Sequence, residues 1–203
     1  MFARILGVLA LAVAPGLAPA ATILVFGDSL SAGYGLPQER SWPSLLEKRL
    51  RDDKLDYRVA NASISGETTA GGATRIEGAL KTHRPDIVVL ELGANDGLRG
   101  QSVEVMRRNL EAMIDASRRA KAQVLLVGMR LPPNYGMAYT EKFQRAYSEL
   151  ARTKKTALVP FLFEGFAEDA RFFQADRVHP TSEAQSAMLD TVWKGLKPLL
   201  RAK

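Results

Sequence analysis

Gly27-Asp28-Ser29-Leu30 directly follows a short apolar run at 22–26. A serine in that place stands where a strand hands over to a helix. A helix N-terminus favours developing negative charge, and the serine's own N–H can face an oxyanion. The same place also suits a serine that only caps the helix. Ser31 stands where a G-x-S-x-G elbow has its second glycine, so the α/β-hydrolase arrangement is disfavoured. Near the other end, Asp176-Arg177-Val178-His179-Pro180 sets a carboxylate three residues before an imidazole. An acceptor that holds one ring nitrogen turns the other toward a nucleophile. The chain has two histidines, and His83 precedes Arg84-Pro85 at the end of a helical pattern, where it reads as a surface or capping residue. His179 is therefore the candidate base, with loop ordering as its structural alternative.

Two further segments fall at expected strand ends. Asn61-Ala62-Ser63-Ile64-Ser65-Gly66-Glu67-Thr68 contains a glycine that suits a turn or lets a backbone N–H approach a ligand. It also contains an Asn-x-Ser glycosylation pattern, which is short enough to arise by chance. Gly93-Ala94-Asn95-Asp96-Gly97 has the composition of a turn, yet Asn95 at a strand's carboxyl end can donate to an oxyanion. Each signal has a bland alternative. Together they would gather a hydroxyl, two or three oxyanion donors and a positioned imidazole at one end of one sheet. No H-E-x-x-H, cysteine cluster, P-loop or dinucleotide fingerprint is present, so neither a metal nor a cofactor is expected.

The elements that must position these residues alternate. Apolar runs at 22–26, 57–60, 86–92, 123–127 and 157–160 read as five strands. The run at 86–92 is nearly continuous, which fits a parallel strand covered on both faces. Helical spacing recurs at 42–50, 69–82, 102–120 and 139–150, and in a last helix from Ser182 to Leu196. Ser182 and Gln185 fit a capping box for that last helix. Such alternation implies an α/β fold with a parallel sheet and helices on both faces, whose ligands bind beyond the carboxyl ends of the strands. Pro132-Pro133-Asn134-Tyr135-Gly136 follows the fourth strand, and with Met137 and Tyr139 it could wall an acyl-binding cleft or merely stiffen a connection.

Length and composition fit one domain. Residues 1–20 read as a secretory signal: Arg4, an apolar run at 5–14, the breakers Pro15-Gly16, and Ala18-Pro19-Ala20 as a small-x-small cleavage site. Residues 21–203 would then form the single exported domain, periplasmic or secreted. The chain has no cysteine, hence no disulfide and no lipid-attachment thiol. Its formal charge of +6 becomes +5 without Arg4. The basic pairs Arg107-Arg108, Arg118-Arg119 and Lys154-Lys155 lie on expected helices beside acids, so nucleic acid is not an expected partner. At most a transient membrane-surface contact is expected, and the protein should be a monomer.

The four segments resemble, in order and from end to end, the sequence blocks of the SGNH (GDSL-type) hydrolase family. Phe26-Gly27-Asp28-Ser29-Leu30-Ser31-Ala32-Gly33-Tyr34, the 61–68 segment and Arg130-Leu131-Pro132-Pro133-Asn134-Tyr135-Gly136 are most similar to its exported bacterial thioesterase I/protease I/lysophospholipase (arylesterase) subgroup. The resemblance implies a flavodoxin-like three-layer α/β/α sandwich with a five-stranded parallel sheet. It implies Ser29 as nucleophile and Asp176–His179 as the relay pair. The Ser29 and Gly66 N–H groups and the Asn95 side chain are the implied oxyanion donors. It favours small acyl esters, acyl thioesters and lysophospholipids as substrates. A carbohydrate O-deacetylase on the same fold, and a non-catalytic binding module, are the alternatives.

Overall fold

The computed structural model describes residues 20–200. The expected signal segment lies outside these residues, apart from Ala20. Five strands, β1 (Ala21–Gly27), β2 (Tyr57–Asn61), β3 (Ile87–Glu91), β4 (Gln123–Val127) and β5 (Ala157–Val159), form one parallel sheet in the order β2-β1-β3-β4-β5. All five residues of β3 are buried, as are Ile23 to Phe26 of β1. Their apolar runs are continuous because helices cover both faces. Helices α2 (Trp42–Asp52) and α7 (Gln185–Leu196) pack together on one face, and α3 (Thr69–His83), α5 (Val103–Arg119) and α6 (Met137–Lys154) on the other. This is the expected three-layer sandwich.

Register decides where the loops emerge. Gly27 of β1 pairs with Glu91 of β3, and Val25 with Asn61 of β2. The three carboxyl ends therefore lie side by side. The connection from β1 leads to β2 on one side and that from β3 leads to β4 on the other, so a crevice opens beyond the ends of β1 and β3. Two one-turn helices occupy its rim: α1 (Ser29–Ala32) and α4 (Ala94–Leu98).

Several elements depart from the sequence expectation. Asn95 stands on the short helix α4 rather than in a plain turn. Gly93 makes α4 possible, because its φ of 117° favours glycine and a Cβ there would collide with the Tyr147 hydroxyl. The capping box at the last helix does not form. That helix starts at Gln185 behind Ala184, with no side-chain cap. Gln185 is buried, and its amide is committed elsewhere: Oε1 accepts from the Trp42 N–H (3.0 Å) and Nε2 donates to the Thr181 carbonyl (3.3 Å). It cannot also reach back to Ser182, and tertiary packing overrides the local motif.

Candidate active site

Asp28, not Ser29, caps α1. The Asp28 Oδ1 accepts from the Leu30 N–H at 3.0 Å. Ser29 is thus freed from the capping role that its position allowed. Its Oγ lies 2.9 Å from His179 Nε2, and His179 Nδ1 lies 2.7 Å from Asp176 Oδ2. An ionised carboxylate only accepts, so Nδ1 carries the ring proton and Nε2 is left as the acceptor for the serine hydroxyl. The loop that holds the imidazole is itself organised by Asp176, whose Oδ1 accepts from the N–H groups of Val178 (2.9 Å) and His179 (3.0 Å). These backbone bonds, chiefly the one from His179, and the imidazole hold the Asp176 carboxyl down at about 2. The Tyr34 ring covers the imidazole at a centroid distance of 4.4 Å, and Gln174 Nε2 ties the Tyr34 and Pro180 carbonyls together. The imidazole is therefore fixed from three sides, one of them by Ser29, 150 positions away in sequence.

The floor beneath Ser29 is acidic and buried. Asp28 and Glu91 are fully buried. Glu91 Oε2 accepts from the Ser31 hydroxyl (2.7 Å) and the Asp28 N–H (3.4 Å), while Oε1 has no partner among the described residues. Burial, reinforced by Asp28, pushes the Glu91 carboxyl well above the usual carboxylate range. Burial also raises Asp28, to about 7, although the Leu30 N–H, the Asn95 amide and His179 act against the rise. Both carboxyls are thus held toward the protonated form, while the Leu30 N–H and the Asn95 amide favour the ionised form of Asp28.

Asn95 donates from Nδ2 to Asp28 Oδ2 and to the Glu67 carbonyl, both at 3.0 Å. Its neighbour Asp96 is buried and receives the Thr69 N–H (2.8 Å) and hydroxyl (2.5 Å), so the loop before α3 is bound to α4. That loop carries Gly66, exposed and at a φ of 79°. The Gly66 and Ser29 N–H groups make no hydrogen bond to another described residue. Asn61 is built into the same region: its amide donates to the Ser31 carbonyl at 2.8 Å. The glycosylation pattern thus falls on a side chain already engaged beside the site.

Ser29, Asn95 and His179 open into one cleft of about 430 Å³, with Asp176 behind His179. Gly66 is not among the residues lining it; it stands one residue from Glu67, on the loop bonded to Asn95. The expected acyl wall is only half right. Leu131, Pro132 and Pro133 line the cleft, whereas Met137 is 76% exposed and Tyr139 ties its hydroxyl to the Gln101 carbonyl (2.7 Å). The opposing wall is aromatic and was not anticipated: Phe161, Phe163 and Phe173. Its signal was present, since five of the eight phenylalanines fall between 161 and 173.

A hydroxyl bonded to an imidazole, itself bonded to a carboxylate, at the end of a parallel sheet and facing an apolar cleft is the arrangement of a serine hydrolase. Here it stands at the switch point of a flavodoxin-like fold. Residues 25–187 match the family model of the GDSL-like Lipase/Acylhydrolase family, and the chain belongs to that family. It is 50% identical to the esterase TesA of Pseudomonas aeruginosa over 194 residues, which is 96% of each chain. It is 39% identical to thioesterase 1/protease 1/lysophospholipase L1 of Escherichia coli K12, over 90% of this chain and 86% of that protein. A crystal structure of TesA superposes with a TM-score of 0.86 at 50% identity, covering 88% of this chain and 99% of the other.

Proposed function

We infer that the protein is a serine esterase and thioesterase, acting on small acyl esters, acyl thioesters and lysophospholipids through an acyl-enzyme. The observation that carries this reading is the unbroken Ser29–His179–Asp176 chain, at 2.9 and 2.7 Å, opening into an apolar cleft. The names of the two relatives support the ester and thioester classes.

In the mechanism, His179 Nε2 takes the Ser29 proton as Oγ attacks the carbonyl. Asp176 fixes the tautomer and stabilises the imidazolium. The oxyanion is received by the Ser29 and Gly66 N–H groups and by Asn95. His179 then protonates the leaving oxygen or sulfur, and water, deprotonated by the same nitrogen, releases the acid. The protein is exported by residues 1–20 and works in the periplasm or outside the cell, as a monomer without a cofactor.

The test is hydrolysis of p-nitrophenyl esters from acetate to palmitate by residues 21–203 and by the Ser29→Ala variant. Activity on medium or long chains, lost in the variant, is expected. Activity on acetate alone would favour a carbohydrate O-deacetylase. Equal rates in both proteins would remove Ser29 from the mechanism.

A further inference from the structure

Among the described residues, five that are not glycine adopt positive φ: Lys54, Arg84, Lys121, Lys155 and Arg177. The first four stand within two residues of the ends of α2, α3, α5 and α6 respectively, where a left-handed residue closes the turn and a basic side chain meets the carbonyl end of the helix. Arg177, at φ 57°, follows no helix. It lies between Asp176 and His179, in a conformation that favours glycine. The turn is required, because the Arg177 N–H bonds the Gln174 carbonyl (2.8 Å) while Asp176 Oδ1 holds the next two N–H groups. An arginine in the turn is not required by it.

The side chain stands where it bears on the reaction. Arg177 lines the same cleft as Ser29 and His179. It is exposed, and the structure gives it no ion pair or side-chain hydrogen bond with a described residue. Its neighbour Asp176 makes no ion pair with it, the oxygens of that carboxylate being engaged with His179 and Val178. The other guanidinium of the cleft, Arg130, is already occupied: it stacks on Phe161 at 4.5 Å and lies 3.8 Å from Glu164. Direction follows from the proton path. The leaving atom takes its proton from His179 Nε2, so the leaving group departs along the loop that carries Arg177.

We propose that Arg177 is a specificity-determining residue that selects acyl substrates whose leaving group carries a phosphate. This rests on the esterase reading above. Two kinds of leaving group share that chemistry, a glycerophosphate headgroup and a phosphorylated carrier thiol such as coenzyme A. A guanidinium offers paired donors matched to phosphate, which a neutral alcohol cannot use.

The test compares matched octanoyl substrates below their micelle concentrations, with intact mature protein, Arg177→Gln and Arg177→Gly. One pair is 1-octanoyl-glycerol 3-phosphate against 1-octanoyl-glycerol. The other is octanoyl-coenzyme A against octanoyl-N-acetylcysteamine. The readout is the ratio of kcat/KM within a pair, so a general change in loop order cancels. Both variants should lower the ratio in at least one pair by about tenfold, the scale of one charge-assisted contact to phosphate. Arg130→Gln should lower it less. The wild-type preference should also fade with rising salt, as expected at an exposed site. Loss in the first pair alone identifies a lipid headgroup as the ligand, and loss in the second alone a carrier thiol. Ratios unchanged in both pairs, or both members of each pair slowed equally, would overturn the proposal. Wild-type protein that cleaves none of the four would instead overturn the esterase reading, and the proposal with it.

Discussion

Asp176→Asn separates two jobs that one carboxylate does in this site. Oδ1 anchors the loop through two N–H groups, and Oδ2 receives the His179 Nδ1–H. An asparagine has one oxygen and must choose. With its oxygen on the loop, its NH₂ faces Nδ1, the ring proton moves to Nε2, and the imidazole cannot accept the Ser29 proton. Turned over, it preserves the competent tautomer but faces two backbone donors with an NH₂. Two neutral hydrogen bonds at about 1 kcal/mol each set the competent form about 2 kcal/mol above the other. Losing the negative charge beside the imidazolium adds about 1 kcal/mol at this half-exposed position. The sum of about 3 kcal/mol is roughly a 150-fold loss in kcat/KM. That is well short of the roughly 10⁴ lost when a buried triad aspartate is amidated. The assay is p-nitrophenyl butyrate hydrolysis at pH 8, with near-UV circular dichroism to confirm the fold. A loss below about tenfold in a folded variant would show that Asp176 does not set the tautomer. A loss of about 10⁴ would show that the turned-over form is inaccessible and that the anchoring argument is wrong.

Ser29→Ala should reduce turnover by several orders of magnitude, roughly a millionfold where a serine and its base act as a unit; labelling with a fluorophosphonate should disappear with it. Asn95→Ala should lower kcat/KM about a hundredfold, and a loss below about tenfold would take Asn95 out of the oxyanion site. Gly93→Ala forces a Cβ to φ 117° and against the Tyr147 hydroxyl, which should lower Tm by more than the roughly 2–4 °C that 1 kcal/mol represents in a chain of this size. Asp28 gives a stability signature. Its carboxyl is raised to about 7, so the folded state holds the proton more tightly than the unfolded chain. Stability from this group is complete below about pH 4 and falls as pH rises toward 7. Urea unfolding at pH 5 and pH 8 should show the fall in the wild type, and Asp28→Asn should flatten it.

The sheet was legible because burial on both faces leaves an apolar run that nothing else in a short chain explains, as at 86–92. The stripe of α5 was legible for the same reason: Val103, Met106, Leu110, Met113 and Ile114 all face the core. Ser29, Asn95 and His179 were legible because each follows a strand or precedes a helix, and parallel strands bring their carboxyl ends together. What escaped detection depends on contacts distant in sequence. Gln185 looked like a capping partner but serves Trp42, 143 residues away. The aromatic wall lies after β5, in a segment with no period to read. Glu91 looked like part of a strand, and only the register that sets it against Gly27 reveals a buried acid under Ser29.

That buried acid bears on how Asn95 can serve an oxyanion. Both protons of its amide are engaged, one with Asp28 Oδ2 and one with the Glu67 carbonyl. Donation to a substrate oxygen must replace or share one of them. Where Asp28 is ionised, above about pH 7, a bond to a buried anion is the stronger of the two. The Glu67 bond is therefore the one given up, for an acceptor that becomes charged as the tetrahedral intermediate forms. The exchange favours the transition state over the ground state, because the carbonyl of a bound ester is no better an acceptor than that of Glu67. It also links the donors in the proposed mechanism. Glu67 follows Gly66, so releasing its carbonyl loosens the peptide segment whose N–H is to meet the same oxyanion. Asp28, which accepts from the same Nδ2, keeps the amide aimed while its other partner changes.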